Sequence, residues 1–595
     1  MQKKVSDIVS EFISSQGVKD VFLISGGCDV QLIDSIAKND KLKYVCNHHE
    51  QGCAIAAECY SRVSKNLGVC VVTVGPGVTN MMTGIAGAWL DSIPVLYISG
   101  QVKRDNMKEG SLRQLGIQEM DAVGLVQTIT KYAAVVSDPS DIKYHLEKAV
   151  FLAKSGRPGP VLLDIPSDVQ SAMVDEEKLR SYTPEKSDLT VDNALNVQVD
   201  EVIAMIKNAK RPLFFVGHGI RLAKGEEVLM KIVEQMNIPV VTAMSAHDLI
   251  PTAHDLCIGR PGVFGDRAGN FAVQNCDLLI SVGARHHLWN IGYNYNEFAA
   301  GAKKVQVDVD DPELHKKTVH PDIAIHADAK DFLTALFDRS KGLVWKDEKG
   351  WDERCASWKK KYPVVLPEYK DEKGFVNSYY FTDVLASLLR EGEVIVTGVG
   401  TSFTATLQCF KIKKDQRLIS NVGCAAMGYD LPAAIGACFA HHKERTILIV
   451  GDGGFMMNIQ ELQTVKHHNL PIKIFLLNNQ GYLAIRNTQN AFFGGKLEAS
   501  DASSGVSLPD FEKISSAFGI PYCKIADHSN IEEKVSKVLE SDGPMLCEIF
   551  MSPTQPLIPK MYSMKKEDGT MDSKPMAEMY PFLDKDEFLS NIKND

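Results

Sequence analysis

The stretch Thr446-Ile447-Leu448-Ile449-Val450-Gly451-Asp452-Gly453-Gly454 decides how the chain reads. A helical interval follows, then Asn469-Leu470-Pro471, then Ile472-Lys473-Ile474-Phe475-Leu476-Leu477-Asn478-Asn479. An apolar run, a glycine turn, a helix, a proline stop and a second apolar run describe a βαβ unit. Strands that are apolar throughout belong to a parallel sheet covered by helices on both faces. The same order occurs twice more. Val69–Val74 leads into Gly75-Pro76-Gly77, and Ser92-Ile93-Pro94 precedes Val95-Leu96-Tyr97-Ile98-Ser99. Leu213–Val216 leads into Gly217-His218-Gly219, and Asn237-Ile238-Pro239 precedes Val240-Val241-Thr242. Right-handed crossovers make each unit part of a doubly wound α/β domain with a parallel sheet.

The 595 residues suit three or four domains. A polar, acidic stretch at 173–198 and a charged, proline-punctuated one at 339–377 read as linkers. The expected division is 1–172, a central α/β domain over 195–338, and 375–552, with a tail over 553–595. The tail reads either as a lid or as a surface extension.

Apolar residues at 45% and charged residues at 24% describe an ordinary globular protein. A net charge of −10 gives no electrostatic reason to bind nucleic acid or an anionic membrane. No apolar run reaches the ~18 residues that a membrane span needs. The opening residues place Val5, Ile8, Val9, Phe12 and Ile13 at helical spacing, as in an amphipathic helix and unlike a signal peptide. Thirteen cysteines without a CxxC pair read as free thiols, which places the chain in the reducing cytoplasm. The histidine pairs His48–His49, His286–His287, His441–His442 and His467–His468 read as surface residues, because sequence neighbours do not share a helix face.

The chemistry concentrates around Asp452 and Asn479, which end neighbouring strands 27 residues apart. Ligands of doubly wound sheets bind in the crevice at those strand ends. A carboxylate, an amide oxygen and a backbone carbonyl from the loop after Asn479 suit Mg²⁺ or Ca²⁺. Gly453 and Gly454 let a diphosphate approach the first N–H groups of the following helix.

GDG followed by a helix, a strand and NN at this interval resembles the signature of thiamine-diphosphate-dependent enzymes. From about Val5 to Met551 the chain is similar to their acetolactate synthase-like branch, of the large catalytic subunit type. By that resemblance Asp452, Asn479 and the Gly481 carbonyl hold Mg²⁺, the metal holds the diphosphate, and Tyr482 and Leu483 continue the cofactor-binding loop with Gly453 and Gly454. Val399-Gly400-Thr401-Ser402 stands where the family has V-G-Q-H at the diphosphate. Ala425-Ala426-Met427-Gly428 stands where it has G-T-M-G, with Met427 as the apolar wedge under a bent cofactor and the Ala425 carbonyl accepting from its 4′-amino group. In the first domain His48-His49-Glu50-Gln51 stands where the family has R-H-E-Q, and Glu50 is the expected catalytic acid at N1′ of the pyrimidine. Gly26 and Gly27 fall in the P-G-G turn, Pro76 and Asn80 in G-P-G-x-T-N against the pyrimidine, and Gln118 in F-Q-E facing substrate. The two ends of the cofactor come from different subunits in this family, so the resemblance implies a homodimer or homotetramer.

Four departures fall on the substrate side. Thr488 stands where acetolactate synthases carry an acceptor-selecting Trp. Trp289 replaces the Arg that grips an acceptor carboxylate. Thr401-Ser402 replaces Gln-His, and Ile117 replaces Phe. Losing a bidentate carboxylate clamp disfavours a keto-acid acceptor. The expectation is a thiamine-diphosphate- and Mg²⁺-dependent enzyme that decarboxylates a 2-oxo acid, pyruvate by default. The two-carbon unit passes to some other carbonyl acceptor. The rivals are a hydrolase of a cyclic 1,2-diketone and a non-catalytic paralogue, the latter disfavoured by the presence of Glu50, Asp452 and Asn479. Acetolactate synthases bind FAD in the central domain. Gly217-His218-Gly219, Arg157, Asp308 and Asp328 are compatible with a dinucleotide there, and a nucleotide-free scaffold is the alternative.

Overall fold

In the computed structural model, which describes residues 2–184, 193–566 and 568–592, the apolar runs form three six-stranded sheets. Every pairing within these sheets is parallel. The first sheet uses Asp20–Leu23, Lys43–Cys46, Gly68–Val72, Val95–Gln101, Tyr132–Val135 and Val161–Pro166. The third uses Val394–Thr397, Arg417–Ile419, Thr446–Gly451, Ile472–Asn478, Tyr522–Ile525 and Met545–Phe550. With strands numbered in chain order within each sheet, both have the spatial order 2-1-3-4-6-5. The central sheet, from Pro212–Val216 to Ile323–His326, has the order 3-2-1-4-5-6. That second order is the one in which two mononucleotide-binding halves meet at the crevice between strands 1 and 4. Helices cover both faces of each sheet, so Leu448, Val450, Ile474 and Leu476 face one core cluster, and Ile447, Ile449, Phe475 and Leu477 the other.

The opening helix is Val5–Ser15, with Val5, Ile8, Val9 and Ile13 buried. Lys3 and Lys4, just before it, pair antiparallel with Val174 and Met173. Part of the acidic stretch read as the first linker lies outside the described residues. The second, at 339–377, is more than a connection. Its helix Trp351–Lys361 buries Trp351 and Trp358 in the central core, and the Trp351 indole donates to the Pro212 carbonyl at 3.0 Å. Lysines on the outer face of this helix hide its apolar stripe from a composition-based reading.

The tail packs along the central domain. Met561 donates its N–H to the Val263 carbonyl at 2.7 Å, and Met576 and Ala577 join the central core. Asn591, in the helix Lys585–Ile592, accepts from the Trp358 indole at 2.7 Å. All thirteen cysteines are unpaired. His286 departs from the surface reading of the histidine pairs: it is 2% exposed, bonds Ser281 at 2.8 Å and stacks on Phe215. A positive φ of 47° at His286 turns the ring back onto its own strand. No helix among the described residues is long and apolar enough to cross a membrane.

Candidate active site

In the third sheet the order reverses between Val394–Thr397 and Thr446–Gly451, so the crevice opens between Gly398 and Asp452. Asp452 starts the helix Asp452–Met456 and is 1% exposed. Its carboxylate accepts the N–H groups of Gly453 at 2.7 Å, Asn479 at 2.9 Å and Gly481 at 3.1 Å. One side chain thus ties the loop after Asn478 to the neighbouring strand end. Burial pushes its carboxyl up to about 6, against the lowering by those donors. Arg486, unnoticed in the sequence, supports the loop from beneath. It donates to the carbonyls of Asn479 at 2.6 Å, Ser500 at 3.0 Å and Gln480 at 3.2 Å.

The approach to this crevice is shaped by glycine. A Cβ on Gly453 would stand 2.4 Å from the Tyr482 ring and 3.5 Å from the Met427 methyl, so both side chains converge there. Positions Gly400 and Gly451 face open space, and Gly400 has φ of 71°. Thr401 and Ser402 are buried in the first turn of the helix Thr401–Cys409. The Ser402 hydroxyl donates to Val399 within that turn at 3.2 Å. Leu483 is buried in the core on one face of the third sheet, and Ala425 holds φ of 51° with its N–H on the Asn421 carbonyl at 2.8 Å. Among the described residues no group of three or more His, Cys, Asp or Glu side chains is placed to hold a metal ion by itself. A cation here would therefore rest on the Asp452 carboxylate, the Asn479 amide oxygen, a backbone carbonyl and ligand oxygens. That is a hard donor set beside a glycine-lined helix terminus, and it fits a divalent metal with a diphosphate.

The first sheet reverses between Asp20–Leu23 and Gly68–Val72, and the other expected residues surround that crevice. Glu50 is the first residue of the helix Glu50–Ser64 and accepts from the Asn80 amide at 2.8 Å. Asn80 lies one turn into Pro76–Asp91, entered through Gly75 at φ of 68°. A Cβ on Gly75 would fall 2.2 Å from the Gln118 carbonyl, so this turn and the Gln118 loop touch backbone to backbone. Gln118 itself is exposed at φ of 62°. Its neighbour Glu119 is buried and accepts the N–H groups of Leu115 at 2.8 Å and Gly116 at 3.0 Å, which holds the loop in place. Gly26 sits where a Cβ would strike Thr73 at 2.4 Å, and Gly27 faces open space.

The two sheets are joined through these same segments. Gln51, next to Glu50, accepts from Asn458 at 3.1 Å, and Glu461 accepts from the Asn47 amide at 2.8 Å and the His48 N–H at 2.9 Å. The helices Glu50–Ser64 and Asp430–Ala440 cross so closely that a Cβ on Gly436 would lie 2.0 Å from the Ala56 carbonyl.

The departures occupy distinct places. Trp289 packs against Phe264 at 5.5 Å and Phe403 at 5.6 Å between ring centroids. Arg285 turns away and donates to the Leu90 carbonyl at 2.7 Å. Thr488 is exposed with its hydroxyl on the Ala484 carbonyl at 3.1 Å, and Ile117 is 87% exposed. Trp289 also lines a cavity of about 970 Å³ at the crevice of the central sheet, with Arg157, His218, Arg285, Asp308 and Asp328. Gly217 and Gly283 form its floor at van der Waals contact, since a Cβ on Gly217 would lie 2.1 Å from the Gly283 carbonyl. Burial pushes the Asp308 carboxyl up to about 6.

Comparison with known proteins reaches into each of the three sheets. Residues 3–125 match the thiamine pyrophosphate enzyme N-terminal TPP binding domain, 199–336 the central domain and 398–549 the C-terminal TPP binding domain. The chain is 32% identical over 94% of its length to acetolactate synthase 2, chloroplastic, of Nicotiana tabacum, covering 84% of that protein. It is 33% identical to the acetolactate synthase large subunit of Porphyra purpurea, over 90% of each chain. It is 33% identical to the probable acetolactate synthase large subunit of Methanocaldococcus jannaschii, over 93% of each. Glycine-lined crevices in the two outer sheets, a nucleotide-type central sheet and full-length kinship agree: the chain belongs to the thiamine pyrophosphate enzymes, as a member of their acetolactate synthase-like branch, and so works with thiamine diphosphate and a divalent metal.

Proposed function

We propose that this enzyme decarboxylates a 2-oxo acid, with pyruvate as the default donor, and transfers the two-carbon unit to a carbonyl acceptor that is not a simple keto acid. Bound thiamine diphosphate supplies the reactive carbon and the electron sink for decarboxylation. The chain's own residues bind, orient and move protons. Asp452, Asn479 and the Gly481 carbonyl hold Mg²⁺. Met427 supports the bend of the cofactor, and Val399, Gly400, Thr401, Gly453 and Gly454 present backbone to the diphosphate. Glu50 exchanges a proton with N1′ of the pyrimidine, a role that needs a carboxylate and that Asn80 orients. Pro76, Gly26 and Gly27 shape the pyrimidine side, and Gln118 faces the substrate.

The observation that carries the acceptor reading is Trp289. It leans on Phe403, within one turn of Gly400, while the nearest cation of that loop, Arg285, is turned to Leu90. An aromatic wall whose neighbouring guanidinium groups are already engaged, Arg285 by the Leu90 carbonyl and Arg157 by Asp310 and Glu313, favours a neutral or ring-bearing carbonyl over a carboxylate. CO₂ release from pyruvate with product formation on a neutral aldehyde supports this reading. Ring opening of a cyclic 1,2-diketone without CO₂ release would replace it with the hydrolase.

Self-association belongs to the same proposal. Leu112, Leu115, Ile117 and Met120 are exposed beside the Glu50 crevice, and Met457, Ile485, Phe492 and Phe493 beside the Asp452 crevice. Apolar side chains gathered around both half-sites favour burial against a second copy. The central cavity supports a dinucleotide such as FAD, held structurally by Arg157, Asp308 and Asp328.

A further inference from the structure

Asp430 opens the helix Asp430–Ala440 and has no part in the reading above. Its side chain is 1% exposed. Oδ1 accepts the Leu431 N–H at 3.0 Å, whereas Oδ2 is buried without a hydrogen-bond partner. An orphaned carboxyl oxygen of this kind destabilises the fold unless something pairs with it.

The place of Oδ2 names the missing partner. A Cβ on Gly398, directly after the first strand of the third sheet, would stand 2.3 Å from Oδ2. A Cβ on Gly454, two residues beyond Asp452, would stand 3.0 Å from it, with no other atom near. Two glycines thus make room for one carboxyl oxygen between the two strand ends where the sheet order reverses. This is the crevice read above as the diphosphate site, and the inference rests on that reading. An ionised carboxylate here would repel phosphate oxygens across a water-poor gap. A neutral carboxylic acid has the opposite effect, because its O–H donates to them. Burial pushes the Asp430 carboxyl up to about 7, which favours the neutral form.

We propose that Asp430 is a positioning residue that donates its carboxylic O–H from Oδ2 to a non-bridging oxygen of the diphosphate, fixing that end of the cofactor across Gly398 and Gly454.

The test is binding, read by quenching of protein fluorescence in Mg²⁺, with thiamine diphosphate and unphosphorylated thiamine as the two probes. Asp430→Asn keeps a donor at the same reach, and its dissociation constant for thiamine diphosphate should stay within about threefold of the parent chain. Asp430→Ala removes the donor and should weaken thiamine diphosphate about tenfold, the equivalent of one hydrogen bond to a charged group. Thiamine should bind all of them alike. Melting curves without cofactor identify a variant that does not fold, and Asp430→Leu then replaces Asp430→Ala as the donor-free partner of Asp430→Asn. Equal affinity of the donor-free variant and the parent overturns the proposal. So does an asparagine variant as weak as the donor-free one, or a parallel loss for thiamine. A parent chain that takes up no thiamine diphosphate overturns the reading of the crevice itself.

Discussion

The Glu50 carboxylate accepts a hydrogen bond from the Asn80 amide at 2.8 Å, so a residue opening one helix is aimed by a residue of the next. That pairing leaves the second carboxylate oxygen free for a ligand proton. Glu50→Gln keeps the shape and removes the exchangeable acid. Thiamine diphosphate should still bind, while hydrogen–deuterium exchange at thiazolium C2, followed by NMR, should slow by about 10²- to 10⁴-fold. Asn80→Ala should give a smaller loss with the same signature. Unchanged exchange in Glu50→Gln would remove Glu50 from the mechanism.

The Asp452 carboxylate carries two duties, since it gathers three backbone N–H groups and is the only carboxylate of the proposed metal set. Chelation of divalent metal should therefore release thiamine diphosphate without unfolding the chain. Asp452→Asn should weaken metal-dependent cofactor binding by at least tenfold and also lower the melting temperature, because one amide oxygen cannot accept as its two carboxylate oxygens do. Titrating Mg²⁺ at fixed thiamine diphosphate checks the first effect and calorimetry the second. Tight binding that persists in excess chelator would exclude the metal's role.

Much of this site was legible because parallel sheets place function at strand ends. Uninterrupted apolar runs marked the strands, and Gly451-Asp452-Gly453 and Asn478-Asn479 fell where those runs stopped. What escaped had contacts that lie far apart in sequence. The central order 3-2-1-4-5-6 differs from 2-1-3-4-6-5 through which strands pair, and that choice leaves no local mark. Trp351 and Trp358 were masked by the lysines around them. Arg486 acts by holding three carbonyls, and Asp430 by the space that Gly398 and Gly454 leave, so neither announces itself as a motif.

The central crevice makes a separate prediction. Its strand order and a cavity of about 970 Å³ with Arg157, Asp308 and Asp328 suit a dinucleotide. FAD added to the purified chain should lose fluorescence on binding, and ADP should compete for the same site. At a hundredfold excess over the dissociation constant, binding should add about 2.7 kcal/mol of stability, visible as a raised melting temperature. No change in flavin fluorescence or melting would leave the central domain a scaffold.

His286 sets a pH dependence of stability. Burial, with smaller contributions from Lys316 and Lys304, pushes its imidazole down to about 3. Its Nε2 bonds Ser281 at 2.8 Å, and its Nδ1 has no partner. The folded chain keeps this ring neutral, while the unfolded chain protonates it below about 6.5. The unfolded state then binds more protons, so stability falls as pH drops from about 6.5 toward 3. The slope from this one residue is at most about 1.4 kcal/mol per pH unit. His286→Gln should flatten the curve of unfolding free energy against pH by up to that slope between pH 6 and 4, measured by urea unfolding. An identical slope in the variant would mean that the ring titrates normally.

Glu50 and Asp452 belong to different crevices, and the apolar side chains exposed around both suit burial against a second copy. If each working site joins the first sheet of one subunit to the third sheet of another, two inactive variants can repair each other. Glu50→Gln and Asp452→Asn, each inactive alone, should regain activity when unfolded together and refolded as a mixture. Random pairing makes half of the dimers mixed, and each mixed dimer has one site with both carboxylates intact. Recovery should therefore approach about a quarter of the parent activity. Sedimentation of the mixture should show no species smaller than a dimer. A dimer that recovers nothing would place Glu50 and Asp452 of one site on the same polypeptide.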